Sequence, residues 1–466
     1  MFGLIDNDSY LTVSDGRLCI DGVDAVELAR SHATPLFIYS EARIRRNIAR
    51  LTDAGGRIPC PMKACYAAKA MSTLGILRAI RNAECDIEVN SGGELWKALR
   101  AGFSGDRIIF NGTSKEAWEI ELAIQNDVYA IQADSVYELS LIEAAARSLG
   151  TNANVSLRLV PEIESGTHSG LRTALLTSKF GMMPDEAFAA IAQYADSDHL
   201  VIRGIHLHVG SQNPDPSVYA EALATLGRFA LRLGRISSRP IEHINIGGGF
   251  PVDHIGGTRA DINEDQAAIL SAYFDPAGAL ESAWQRLAAA DPAAAEAVSK
   301  LTLLIEPGRS IIGDAGICLT TVRNAKSRPN ADMPGGVDQW LLTDAGFNIL
   351  LSMETYKWYY HLISAQRAGV PHETRYKVAG PLCDGGDVYF DIEGKGRLPE
   401  YRMLPAGVEP GEVLALLNCG AYSLAQASQY NGRFLPAVVL IGIDGTPQLI
   451  RRRETLDDLI RADSLT

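Results

Sequence analysis

The chain has 466 residues, more than a single hydrophobic core usually organises, so the length predicts two domains. Apolar residues make up 47% of the chain and charged residues 21%, which is ordinary for a soluble globular enzyme. The net charge of −13 at pH 7 argues against a broad nucleic-acid-binding surface, because such a surface needs clustered lysine and arginine.

The cysteines and the longest apolar runs indicate the cellular compartment in which the protein is expected. The seven cysteines are odd in number and include no Cys-x-x-Cys pair, so neither a disulfide framework nor a metal site is expected. Residues 1–8 lack the basic start and the long apolar stretch of a signal peptide. Apolar runs such as 437–441 have the length of a strand and are too short to span a membrane. We therefore expect a cytoplasmic protein with reduced thiols.

Short β-rich runs alternate with helical stretches through the first two-thirds of the chain. Such alternation predicts βαβ units and a parallel sheet. The strand-like runs are 36–39, 64–68, 86–90, 107–111, 129–133, 154–160, 201–208, 243–246 and 301–305. Helical patterns fall between most of them, for example at 91–101, 135–149, 185–195 and 217–233.

Nine strand-like runs are one more than a (β/α)8 barrel needs, and the positions of the reactive residues select eight of them. Lys69, His208, Gly247 and Glu306 each follow the C-terminal end of a strand, which is the face that carries barrel active sites. Counting from the strand before Lys69 gives eight strands, ending with the one before Glu306. The predicted fold is therefore α/β, a TIM-like (β/α)8 barrel within residues 36–308, with the run 36–39 as a lead-in.

The pattern changes after about residue 310. Strand-like runs at 340–343, 377–379 and 413–418 follow one another with Gly, Pro and Asp between them. This indicates a C-terminal all-β domain, a sandwich or barrel over 309–466, which the turn-rich residues 1–35 are expected to join. Within the first part, the alanine-rich segment 279–300 is expected to be helical.

Lys69 and His208 are the first two candidates for chemistry. A semi-buried apolar setting favours the unprotonated amine that forms a Schiff base, although a lysine at a strand end can also simply reach solvent. His206 and His208 alternate with apolar residues and point to the same side of their strand. His208 could stack on a flat heteroaromatic ring, or it could be an ordinary core histidine.

Two turns that contain glycine follow later strands. Gly247, Gly248 and Gly249 allow backbone amides to approach a phosphate closely, although any tight loop also needs glycine. Glu306 and Arg309 flank a Pro-Gly turn. The carboxylate could pair with a pyridine nitrogen and the arginine with a phosphate, or the two could form a surface ion pair.

The last candidates lie in the C-terminal part of the chain. Cys383, in an acidic glycine-rich loop, could return a proton to a carbanion, and Asp384 beside it could bind a substrate ammonium. Tyr422 could offer its hydroxyl to a phosphate; a buried cysteine and a core tyrosine are the alternatives. In this order along one chain, the amine, ring, glycine loop, carboxylate and thiol supply the parts that hold pyridoxal phosphate.

These motifs together resemble the pyridoxal-phosphate decarboxylases built on an alanine-racemase-like barrel, which include diaminopimelate, ornithine, lysine and arginine decarboxylases. The resemblance runs from about residue 34 to 440. It implies that Lys69 binds the cofactor covalently, that His208 stacks on its ring and that Glu306 pairs with its ring nitrogen. The phosphate would be held by Ser211, Gly247, Gly248, Gly249, Arg309 and Tyr422. It also implies a head-to-tail homodimer in which Cys383 and Asp384 complete the partner's active site.

Departures from the family pattern bear on the substrate. Diaminopimelate decarboxylases usually carry an Arg-Pro pair after Asp-Ala-Gly, whereas Asp344-Ala345-Gly346 is followed by no such arginine. The Cys383-Asp384 loop looks most like that of bacterial D-ornithine/D-lysine decarboxylases. An anionic pocket for a terminal ammonium would then be formed by Asp344, Glu354, Asp384 and Asp387. Glu88 also stands where the family more often has aspartate.

The sequence favours decarboxylation of a basic amino acid, D-ornithine or D-lysine, to a diamine and CO2. The alternatives are meso-diaminopimelate, or a modified or carrier-bound amino acid of a secondary pathway. A non-catalytic pyridoxal-phosphate-binding regulator is opposed by the presence of Lys69, Glu306 and Cys383. An amino-acid racemase is opposed because such enzymes usually place arginine at the ring nitrogen.

Overall fold

The structure is a computed structural model, described over residues 10–160, 178–235, 240–255, 261–271, 274–333 and 335–465. Two compact units make up the chain. One lies within Arg45–Pro251 and Tyr273–Ile311, and the other within Met1–Ile44, Val252–Ala272 and Ile312–Thr466. Residues 1–8, which were not expected to form a signal peptide, lie outside the described residues. The domain limits expected from the sequence stay predictions.

The elements follow in chain order. The strands are β1 (Leu11–Ser14), β2 (Arg17–Ile20), β3 (Val23–Asp24), β4 (Leu36–Ser40), β5 (Met62–Ala67), β6 (Asp86–Val89), β7 (Ile108–Phe110), β8 (Ala130–Ala133), β9 (Ala153–Arg158), β10 (Leu200–His206), β11 (His243–Asn245), β12 (Thr302–Ile305), β13 (Gly316–Pro329), β14 (Val337–Thr343), β15 (Leu362–Ser364), β16 (Thr374–Ala379), β17 (Arg402–Leu404), β18 (Val413–Leu416), β19 (Ala437–Ile441) and β20 (Pro447–Arg451). The helices are α1 (Ala25–His32), α2 (Glu41–Thr52), α3 (Leu74–Asn82), α4 (Gly92–Ala101), α5 (Ala117–Gln125), α6 (Val136–Ser148), α7 (Pro184–Gln193), α8 (Pro216–Leu233), α9 (Glu264–Leu270), α10 (Pro276–Ala290), α11 (Pro292–Ser299), α12 (Arg309–Ile312), α13 (Leu351–Thr355) and α14 (Leu456–Leu459).

A closed barrel of eight parallel strands, β5 to β12, forms the first unit, and each strand pairs with the next along the chain. The ring closes where β12 pairs with β5, with Leu303 opposite Met62 and Ile305 opposite Ala64. This closure places the strand end that carries Glu306 beside the one that carries Lys69. The predicted barrel, and the choice of its eight strands, are confirmed.

The barrel helices begin where the sequence supplies caps. Ser91 accepts a hydrogen bond from the Glu94 amide at the start of α4, and Ser135 accepts one from the Glu138 amide at the start of α6. The helical structure expected over 279–300 is confirmed, but it is divided into two helices, because α10 ends at Ala290 and α11 starts at Pro292. Proline has no N–H to continue a helix but fits the first helical position, so the chain breaks there.

The second unit is built on β-sheets. Strands β1, β2 and β3 form one antiparallel sheet, and a nine-stranded sheet runs in the order β17-β16-β14-β13-β4-β19-β20, with β18 pairing β13 and β15. Strand β4 pairs antiparallel with β13 and parallel with β19, so the lead-in run is a central strand of this sheet. The all-β character of the C-terminal part is confirmed. Its core includes Leu36, Ile38, Ile317, Leu319 and Val439, all of which are fully buried.

Among the helices of the described residues, none is both long enough and apolar enough to cross a membrane.

Candidate active site

Lys69 lies two residues beyond the end of β5, in the short 3-10 turn Ala68–Ala70 that follows this barrel strand. Its amine is 3.8 Å from Glu88 Oε2 and 3.5 Å from Asn90 Oδ1, and its side chain is 40% exposed. Glu88 is completely buried. The amine therefore stands at the open end of the barrel, with a buried carboxylate beneath it.

Glu306 is buried directly after β12. Its Oε1 accepts three amide hydrogen bonds, from Asn245 Nδ2 at 2.7 Å, Gln132 Nε2 at 2.9 Å and Asn111 Nδ2 at 3.1 Å. Burial, followed by the negative charge of Glu88, raises the pKa of Glu306 to about 7. A carboxyl group with such a pKa can hold or release a proton near neutral pH.

His208 contacts the glycine loop that follows β11. The Gly248 N–H donates to His208 Nδ1 at 3.0 Å. A Cβ at Gly247, whose φ is +67°, would lie 2.3 Å from the same nitrogen, and a Cβ at Gly248 would lie 2.4 Å from the Glu306 carbonyl oxygen. Burial, followed by the positive charge of Lys69, lowers the pKa of His208 well below 6.5. The ring is therefore neutral, and the loop leaves no room for side chains.

Ser211 and Arg309 are the remaining phosphate candidates of the barrel unit. The Asn213 N–H donates to the Gly249 carbonyl at 2.8 Å, which ties the segment containing Ser211 to the glycine loop. A Cβ at Gly249, whose φ is +99°, would lie 2.9 Å from the Gly210 carbonyl oxygen. Arg309, which is buried, starts α12. The barrel rim therefore brings together an amine, a neutral ring, a carboxylate and a glycine cradle, which together fit the predicted cofactor.

A layer of buried polar side chains lies beneath the rim, and the sequence interpretation singled out only Glu88 and His206 of its members. Its members end different barrel strands and each is at most 8% exposed: Glu88, Asn111, Gln132, Arg158, His206 and Asn245. The available signal was a single polar residue near the C-terminal end of an otherwise apolar strand, as in Ala130-Ile131-Gln132-Ala133. A barrel interior is normally filled with apolar side chains, so polar residues at that end indicate the active site.

Cys383 lies in the other unit and is exposed, whereas the other six cysteines are buried. Its N–H donates to Asn431 Oδ1 at 2.7 Å. Asp384 accepts hydrogen bonds from the Gly386 amide at 2.9 Å and from the Tyr430 hydroxyl at 3.2 Å. Tyr422, which is partly buried, has a φ of +57°. The reactive cysteine predicted from the sequence is thus on an exposed and well-anchored loop.

The other carboxylates of the expected anionic pocket have local partners. Asp344 is 2.7 Å from Arg323 Nη2 and also accepts from threonine hydroxyls, and Glu354 is 2.7 Å from Lys357 Nζ. Asp387 is buried and accepts from two backbone amides.

The surroundings of Asp344 are basic. It borders a cavity of about 540 Å³ whose wall also contains Arg323, Arg433 and Arg453. These contacts lend no support to an anionic pocket, and the assignment of the four carboxylates to substrate binding stays a prediction.

Comparisons with known proteins agree with the fold and with the predicted cofactor. Residues 41–313 match the model of the pyridoxal-dependent decarboxylase family, pyridoxal-binding domain. Diaminopimelate decarboxylase of Methanocaldococcus jannaschii is 33% identical over 98% of this chain and 97% of its own length. The Pseudomonas aeruginosa enzyme of the same name is 31% identical over 99% of both chains.

Solved structures give the same result. The crystal structure of the M. jannaschii diaminopimelate decarboxylase superposes with a TM-score of 0.84 at 32% identity, covering 100% of this chain and 99% of that one. A second structure of that enzyme, in complex with L-lysine, gives a TM-score of 0.83 over 99% of this chain and 98% of that one. This chain accordingly belongs to the pyridoxal-dependent decarboxylases, with pyridoxal phosphate as its cofactor.

Proposed function

We propose that this decarboxylase removes one α-carboxylate from meso-diaminopimelate, which yields lysine and CO2. The observation that carries the proposal is the end-to-end match to diaminopimelate decarboxylases, at 33% identity over 98% of the chain. This match favours the substrate that the sequence interpretation held only as an alternative over D-ornithine or D-lysine. The relative that was solved with L-lysine supports the same choice, since lysine is the product of that reaction.

Pyridoxal phosphate, when bound, supplies an electron sink for the electron pair of the breaking Cα–carboxylate bond. Lys69 would hold it through its amine, His208 would face its ring and Glu306 would meet its ring nitrogen. A neutral His208 adds no positive charge beside a ring that carries a proton. The phosphate would be held by Ser211, Gly247, Gly248, Gly249, Arg309 and Tyr422.

Protonation at Cα after loss of CO2 is assigned to Cys383. Its thiol is exposed and its loop is fixed by Asn431 and, through Asp384, by Tyr430. A thiol is a suitable proton donor because it carries a transferable proton at neutral pH. By family resemblance, Cys383 and Asp384 act in the active site of the partner subunit of a homodimer.

A second candidate substrate is a basic amino acid without a second carboxylate, such as D-ornithine or D-lysine. One specific observation favours it. The positions after Asp344-Ala345-Gly346 carry no arginine; Ile349 and Leu350 are buried, and Ser352 Oγ lies 3.2 Å from Gln426 Oε1. A distal carboxylate would need a cation from elsewhere, since burying it unpaired is costly.

CO2 release from meso-diaminopimelate and from the D and L forms of ornithine, lysine and arginine separates the two candidates. We expect the highest kcat/KM with meso-diaminopimelate. A basic amino acid that exceeds it tenfold would replace it as the substrate and would leave the family assignment intact. The Lys69→Ala protein serves as the control and should release no CO2 above background from any of these compounds.

A further inference from the structure

Within the described residues, the Glu306 carboxylate accepts hydrogen bonds through one of its two oxygens, Oε1. Three side-chain amides from three strands of the barrel donate to Oε1: Asn111 after β7, Gln132 in β8 and Asn245 in β11. All three are buried, with at most 3% of their surface exposed. Buried charge-assisted hydrogen bonds of this kind are directional and fix the plane of the carboxylate.

Two of these side-chain amides have a buried oxygen atom that accepts no hydrogen bond within the described residues. These atoms are Asn111 Oδ1 and Gln132 Oε1. An unpaired buried carbonyl oxygen destabilises a fold, so an apolar residue would serve stability better. Their N–H groups must face the carboxylate, because a carbonyl oxygen turned toward it would be repelled. The arrangement thus serves the position of Glu306 at the expense of stability.

The other oxygen of Glu306 is left open. No described residue donates a hydrogen bond to Oε2, and His206 Nε2 lies 3.6 Å from it, beyond hydrogen-bond distance. Burial, followed by the positive charge of Arg158, lowers the pKa of His206 well below 6.5. A neutral His206 is therefore no competing ion pair for Oε2.

We propose that Asn111, Gln132 and Asn245 are positioning residues, an amide clamp that holds Glu306 by Oε1 and presents Oε2 to the ring nitrogen of the cofactor. The inference rests on the proposed role of Glu306 as the partner of that nitrogen. The geometry of this contact would then be set by amides that touch neither cofactor nor substrate.

The clamp also links Glu306 to Glu88, the residue at which this chain departs from the family. Asn111 Nδ2 donates to Glu88 Oε1 at 2.6 Å as well as to Glu306 Oε1 at 3.1 Å. Burial, followed by the like charge of Glu88, raises the pKa of Glu306, whereas the charge of Lys69 and then the hydrogen bonds from Asn245 and Asn111 lower it. The amide between the two carboxylates thus offsets their repulsion and keeps Glu306 available as a charged partner.

Gln132 offers the cleanest test, since its side chain makes one hydrogen bond, to Glu306. Asn245 also accepts the Gly247 N–H, and Asn111 also contacts Glu88. Gln132→Met removes the amide with little change in side-chain length. Ser156→Ala is the matched control, since Ser156 on β9 pairs with Gln132 and is buried, and within the described part of the chain it makes no hydrogen bond to Glu306.

The experiment measures how strongly each apo protein prefers pyridoxal phosphate over its 1-deaza analogue, in which carbon replaces the ring nitrogen. The dissociation constant of the analogue divided by that of pyridoxal phosphate measures this preference and isolates the contact at the ring nitrogen. We expect Gln132→Met to lower the ratio by about tenfold, the effect of one hydrogen bond to a charged group. Ser156→Ala should keep the wild-type ratio, and Gln132→Met should keep or raise the thermal midpoint of the apo protein.

Glu306→Gln separates the possible failures. If it lowers the ratio but Gln132→Met stays within twofold of wild type, the clamp is wrong and the role of Glu306 stands. If Glu306→Gln also keeps the wild-type ratio, the ring-nitrogen assignment itself fails. Gln132→Leu repeats the test in case methionine is not accommodated, and a wild-type ratio in either folded variant overturns the clamp.

Discussion

At the scale of single residues, the candidate site holds several charged groups out of water. Glu306 and Glu88 are both buried and share the amide of Asn111, while Lys69 Nζ lies 3.8 Å from Glu88. Two like charges this close cannot both ionise without cost. The sequence identified Lys69 and Glu306 because each follows a strand end. It did not reveal that Asn111 joins Glu306 to Glu88, because that contact depends on side-chain directions across the barrel.

The raised pKa of Glu306 has a consequence for stability. In the folded apo protein its pKa is about 7, against 4.5 for an ordinary glutamate. Between these pH values the folded state binds a proton that the unfolded state has released, so the free energy of unfolding falls as pH rises through this window. Glu306→Gln removes the effect. At about pH 8 the apo variant should exceed wild type by up to about 3 kcal/mol, and the difference should vanish near pH 5.

Urea denaturation of both apo proteins across this range provides the measurement. Glu121→Gln, which changes an exposed glutamate of α5, is the control and should follow wild type throughout. Wild type and Glu306→Gln curves that run parallel from pH 5 to 8 would show that burial does not perturb this carboxyl group.

At the scale of elements, the barrel strands begin and end within two residues of the runs predicted from the sequence. Apolar runs followed by Gly, Ser or Asp mark these strands clearly. The segment 279–300 is helical, as its alanine content predicts, and Pro292 starts a second helix within it. The sheet membership of β4 could not be predicted, since it pairs with β19 some 400 residues away, and such pairing leaves no local signal.

The glycine loop after β11 supplies the prediction at this scale. A Cβ at Gly248 would lie 2.4 Å from the Glu306 carbonyl oxygen, so Gly248→Ala must displace either the loop or the end of β12. We expect the affinity for pyridoxal phosphate to fall at least tenfold, about 1.4 kcal/mol, together with the thermal midpoint of the apo protein. Fluorescence titration of the apo protein measures the first effect and scanning calorimetry the second.

Gly56→Ala is the matched control, because a Cβ at Gly56 would meet no atom within 4 Å. It should bind the cofactor as wild type does. Unchanged cofactor affinity in a folded Gly248→Ala protein would mean that the loop adjusts freely and does not define the phosphate site.

At the scale of the whole molecule, the candidate residues are divided between the two units. Lys69, His208 and Glu306 belong to the barrel unit, whereas Cys383 and Tyr422 belong to the other. The family resemblance assigns Cys383 to the active site of a partner subunit. The sequence predicts that Cys383 acts in the partner's active site only through the family resemblance, since a contact between two copies leaves no pattern within one chain.

Mixing two inactive variants tests the shared site. Lys69→Ala and Cys383→Ala proteins should each be nearly inactive, and together they should regain up to roughly a quarter of wild-type activity after subunit exchange, because half of randomly formed dimers contain one intact site. Mixing Lys69→Ala with the double variant should restore nothing. No recovery in the first mixture, once exchange is confirmed by differently tagged subunits, would place Cys383 in its own subunit's site or outside catalysis.

Above all, we propose that Lys69, two residues after β5, carries the cofactor. Borohydride reduction of the holoenzyme followed by peptide mapping tests it directly. We predict one phosphopyridoxyl group per chain, on the peptide that contains Lys69, and none after the same treatment of Lys69→Ala. A stoichiometric label on another lysine, such as Lys63 in the same strand or Lys115 beyond β7, would contradict the proposed site even though the fold and the family would stand.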